Sequence, residues 1–92
     1  MTTAKLNQHL KRITSVRSMI DELAFIRDIA AIHGEHSVRN AYSDALYFFA
    51  TGRLSADVER AVFGNARAFI KALNKWSGGT TEDMGNFLKT FA

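Results

Sequence analysis

The sequence predicts an all-α fold: one small compact bundle of about five helices. Three observations predict it. Apolar residues recur at spacings of three and four, and no stretch alternates apolar and polar long enough to read as a strand. Proline is absent from all 92 residues. The six glycines are sparse, and Gly34, Gly52, the Gly78-Gly79 pair and Gly85 fall at or near breaks in the helical pattern.

The first helix is expected from about Thr3 to Arg12, with Leu6, Leu10 and Ile13 on one side. Thr14 or Ser15 suits the N-cap of a second helix, from about Val16 to His33, because a short hydroxyl side chain satisfies an unpaired N–H of the first turn; a first helix that runs through both without a break fits the pattern as well. On that helix Val16, Met19, Ile20, Leu23, Ile26 and Ala30 gather on one face, and Gly34 suits the left-handed position that ends it.

The third helix runs from about Ser37 to Ala50 and stops at Gly52; its stripe is Val38, Tyr42, Ala45, Leu46 and Phe49. The fourth is read as one continuous rod, capped by Ser55, carrying Asp57 in its first turn and ending near Trp76. Its buried stripe is Val58, Val62, Ala66, Phe69, Leu73 and Trp76. The fifth starts at Thr80 or Thr81, with Glu82 and Asp83 at the positive end of the helix dipole. Met84, Phe87, Leu88 and Phe91 line it at i, i+3, i+4 and i+7.

A chain of 92 residues fits a single domain, residues 1–92. Hydrophobic residues at 47% and charged residues at 23% describe a globular chain rather than a disordered one. A domain this small buries only roughly 60–65% of the surface its unfolded chain exposes, so a partner would add to a thin core.

The absence of cysteine removes disulfides, thiolate nucleophiles and cysteine-bound zinc together. The opening Met1-Thr2-Thr3-Ala4-Lys5 leads into polar residues rather than an apolar core of a signal peptide. The longest apolar run, Ala45 to Ala50, is far short of a membrane span, so the expected setting is the cytoplasm with no membrane partner.

Neither catalytic residues, a cofactor nor a metal is expected. The His33-Gly34-Glu35-His36 cluster is the nearest approach to a metal site, but its glycine breaks the helix, so the imidazoles need not share a face. No glycine-rich phosphate loop, HExxH or nucleophile elbow is present. Ala30 and Gly34 have the spacing of a helix-turn-helix, but His33, Glu35 and Asn40 stand where that motif wants apolar residues.

Two surfaces remain. The outer face of the fourth helix carries Arg60, Arg67, Lys71 and Lys75 within about 80° of one another. Gly64 lies within this stripe and Asn74 at its edge, so all six form a candidate surface for an anionic partner. The ordinary reading of such a stripe is a solvated helix face, and the net charge of +3 permits a polyanion without requiring one. The second surface is apolar: Phe25, Ile32, Tyr47 and Phe48 fall outside the core stripes, with Ile29 close to the first two, and form a candidate protein interface.

The function expected from these features is a small non-enzymatic protein-interaction module: an inhibitor, adaptor or regulatory protein. Its partner is expected to be another protein, including one with an acidic face, or a second copy forming a homodimer. Compact chains without motifs are common among phage and plasmid accessory proteins that act on host machinery such as defence systems, which is an association rather than a deduction. One alternative is a nucleic-acid-binding protein using the basic stripe. Another is a structural subunit that docks through Phe87 and Phe91.

Overall fold

A computed structural model describes residues 1–92. Helix is the only regular secondary structure, as the periodicity requires, but the chain holds six helices rather than five. They are α1 (Thr3–Lys11), α2 (Val16–Ile32), α3 (His36–Ala50), α4 (Ala56–Gly64), α5 (Ala66–Asn74) and α6 (Thr81–Lys89). The bundle measures 32 × 28 × 19 Å. No helix is long and apolar enough to cross a membrane.

Local chemistry sets the boundaries. Ser15 and Thr80 each close a reciprocal capping box, with Ser18 and Asp83 respectively, and Thr2 and Ser55 cap α1 and α4. Gly34 follows α2 at φ +72°, a conformation that would press the Cβ of any other residue against the following carbonyl oxygen. The single rod expected over residues 55 to 76 is corrected. It ends at Gly64, and α5 begins again after Asn65, whose φ of −116° and ψ of 30° leave the helical region.

The cause is a pair of weak helix formers in succession. Glycine gives up the most backbone freedom, and asparagine competes for backbone partners. Here the Asn65 amide turns back to the Ala61 carbonyl at 2.9 Å, so the side chain finishes α4 and leaves α5 without a side-chain cap. The apolar stripe continues across this break: Val58, Val62, Ala66, Phe69 and Leu73 are all buried, while Trp76, expected to complete it, lies past the end of α5 and is only partly buried.

The short link between α2 and α3 folds them into an antiparallel hairpin that pairs along its length. Met19, Leu23 and Ile26 from α2 meet Tyr42, Ala45 and Phe49 from α3 in one contiguous core, into which α5 sends Phe69, Ile70 and Leu73. Burying each of the larger side chains contributes about 1.5–3 kcal/mol.

Helix α6 belongs to this core. Met84 and Leu88 are fully buried, and Phe69 stacks on Phe87 at 6.2 Å and meets Phe91 edge-on at 6.0 Å. Phe87 and Phe91 pack against this core and stay partly exposed. Gly85, expected near a break, sits buried inside α6, where its missing side chain admits the ring of Phe48.

Candidate functional site

Two sites take shape around α1, one on each flank of that helix. On its α2 side, His9 is buried and its Nδ1 is held by the carboxylate of Glu22. Arg12 reaches the same carboxylate at 3.4 Å. A charge as enclosed as Glu22 persists only when partnered, and these two groups supply the partners. The arrangement fixes α1 over α2 and leaves a cleft of about 310 Å³ between them, lined on its apolar side by Phe25, Ile26, Ile29 and Val38.

Phe25 meets the edge of the His9 ring at 6.0 Å and lies 5.6 Å beneath the Arg12 guanidinium. It is still 45% exposed. Ile32, two turns further along α2, is 81% exposed.

The four apolar residues proposed for a protein interface thus part company. Phe25 and Ile32 remain on the α2 surface. Tyr47 is exposed at the far end of the α2–α3 hairpin, with Arg53 5.2 Å over its ring. Phe48 is corrected: it is buried, because Gly85 on α6 leaves room for it. A one-helix projection assigned it to the flank of α3 and had no means of showing that α6 covers that flank.

On its other flank α1 packs against α5. Arg67 donates to the Asn7 side-chain oxygen at 2.9 Å, and a shallow groove runs from Asn7 and Leu10 past Lys11 to Arg67. A second hollow joins Gly64 and Asn65 to Arg67 and Lys71, and a third carries Lys71 and Lys75 on towards Met1. The chain's ion pairs are His9 and Arg12 with Glu22, Arg17 with Asp21, Arg27 with Asp28, and Arg60 with Asp57. Lys11, Arg67, Lys71 and Lys75 take part in none of them.

The basic stripe read from the sequence is therefore redrawn. Arg60 lies on α4, beyond the break, and spends its charge on Asp57 at 2.7 Å. Asn74 is half-buried and lines the hollow beside Lys71 and Lys75, but its amide is engaged within the chain, donating to the Tyr42 hydroxyl and to the Ile70 carbonyl, each at 2.9 Å. Burial of that hydroxyl pushes the Tyr42 pKa well above the usual tyrosine range, an effect the Asn74 hydrogen bond partly offsets. Gly64 stays open, with nothing within 4 Å of a side chain added there. Arg67, Lys71 and Lys75 persist as a row, and Lys11 joins them from α1.

The missed residues are Asn7 and Lys11. One signal for them was available: all nine acids of the chain fall outside residues 1–20 and 60–81, so both α1 and α5 are free of negative charge. Only packing places those two stretches side by side.

No group of three or more His, Cys, Asp or Glu side chains converges in a way that would hold a metal ion. His33 and His36 stand at the end of α2 and the start of α3, on either side of the turn at Gly34. Neither a protein-family model, a curated protein nor a solved structure matches this chain.

Proposed function

We propose that this chain is a non-enzymatic protein-interaction module, acting in the cytoplasm as an inhibitor, adaptor or regulatory protein, and that it seats an apolar element of its partner against α2. The observation that carries this reading is Ile32, a large aliphatic side chain 81% exposed, on the same helix as a half-exposed Phe25. Phe25 and Ile29 also line the α1–α2 cleft of about 310 Å³, whose apolar wall faces polar groups from Lys5, Gln8, His9 and Arg12. Interface energy concentrates in a few such anchors filling pockets of this kind.

The test compares three forms of the chain as bait in lysate of the source organism: wild type, Ile32→Glu and Lys71→Glu. A protein retained by wild type and by Lys71→Glu but lost with Ile32→Glu supports an apolar dock on α2. Loss with Lys71→Glu alone, or equal retention by all three, overturns it. Sedimentation velocity covers the homodimer: a dimer of the wild type that Ile32→Glu returns to monomer makes the partner a second copy.

A further inference from the structure

The face shared by α1 and α5 has a different chemistry from the α2 surface. It is cationic and shallow. Arg67, Lys71 and Lys75 follow one another at intervals of four residues, about 6 Å of helix rise each. Lys11 stands beside Arg67 across the groove, and Asn7 holds the Arg67 guanidinium from below. Both helices lack acids, so nothing within the face neutralises it.

We infer that this face binds the phosphate backbone of duplex nucleic acid, independently of base sequence. Charge complementarity is the first argument: four cations without ion-pair partners form a row that a polyanion neutralises with release of its counterions. The second argument concerns what the face lacks. It presents no aromatic ring, so it offers no stacking platform for unpaired bases. Its large apolar side chains are confined to Leu10 in the groove and Met1 and Leu6 at the α5 end, while cations run its whole length, so charge rather than an apolar core dominates the face. Cations alone position a backbone and read no bases.

The experiment is fluorescence anisotropy with a fluorescein-labelled 20-base-pair DNA duplex, titrated with the intact chain at a series of salt concentrations. Competition with the unlabelled single strand and with polyglutamate completes it. The duplex is expected to bind at low salt, with log affinity falling against log salt at a slope of about −3 to −4. Lys11→Glu and Lys71→Glu are each expected to weaken binding and to reduce that slope by about 1 or more. Arg60→Glu, on the far side of the α4–α5 break, is expected to weaken binding less than either lysine change.

Circular dichroism of each variant confirms that the fold survives; both lysines are exposed and make no ion pair, so neither change disturbs the core. Absence of binding at low salt overturns the inference. So does equal weakening by Arg60→Glu, or displacement of the duplex by polyglutamate at equal charge. Ile32→Glu has no part in this face and leaves duplex binding intact, so failure here is separable from failure of the α2 dock.

Discussion

Arg67 and Asn7 are sixty positions apart in sequence, and their side chains meet in a 2.9 Å hydrogen bond. The contact joins the two acid-free helices and ties the Arg67 guanidinium to the groove that Lys11 also lines. Both groups are solvent-accessible, so the bond contributes orientation more than stability. Asn7→Ala is expected to change unfolding free energy by less than about 1 kcal/mol in a urea titration. The same variant is expected to raise the mobility of the Arg67 side chain, read by Nε relaxation in NMR.

Gly85 and Phe48 meet where α6 packs on α3. A methyl group at Gly85 would stand 2.7 Å from Phe48 Cζ and 2.9 Å from its Cε1. Gly85→Ala is therefore expected to destabilise the chain by about 1–3 kcal/mol through overpacking. For a domain of this size each kcal/mol lowers Tm by roughly 4–8 °C. Adding Phe48→Leu to Gly85→Ala is expected to recover part of the loss in a thermal melt.

Gly34 and Gly64 are both in open space, yet alanine is expected to act on them with opposite signs. At Gly34 the backbone is left-handed, and Gly34→Ala is expected to cost about 1–2 kcal/mol. At Gly64 the backbone is helical and free of strain, and Gly64→Ala is expected to add up to about 1 kcal/mol. Paired urea titrations compare the two directly.

Glu22 is buried beneath α1 and holds both His9 and Arg12. Glu22→Ala removes the acceptor and strands the enclosed imidazole, at an expected cost of about 1–3 kcal/mol. Asp21→Ala, next door in sequence, breaks only the exposed i, i+4 pair with Arg17 and is expected to cost no more than about 0.5 kcal/mol. Chemical denaturation separates these outcomes.

Tyr42 gives the chain an alkaline limit. Its folded pKa is raised by burial, so the neutral hydroxyl is favoured in the native state. The sign follows from linkage: the stabilisation is intact below the unfolded tyrosine pKa of about 10 and is lost as pH rises from there towards the folded value. Stability is expected to fall above about pH 10, with phenolate absorbance of Tyr42 emerging together with unfolding. Tyr42→Phe is expected to flatten that alkaline fall while losing the Asn74 hydrogen bond at neutral pH.

The helical class, the cap at Ser55, the caps at Ser15 and Thr80 to within one residue, and most of the buried stripes were legible in the residues themselves, because spacing and capping act within one turn of chain. The break after Gly64 was legible in principle too, since Gly64 and Asn65 adjoin. The candidate site was legible only in part. Periodicity identified Arg67, Lys71 and Lys75 as one face, and Phe25 and Ile32 as surplus apolar surface, but it assigned Arg60 and Phe48 by angle alone.

By itself, then, the sequence determined that this protein is helical, where most helices start and stop, and which side of each turns inward. Tertiary packing decided what each side faces. It set α1 beside α5, so that Lys11 joins a row of cations sixty residues away. It closed α6 over Phe48 and left Ile32 in the open. The physical reason is range: a hydrophobic stripe reports that a face is buried through contacts three or four residues apart, and carries no record of which distant segment buries it.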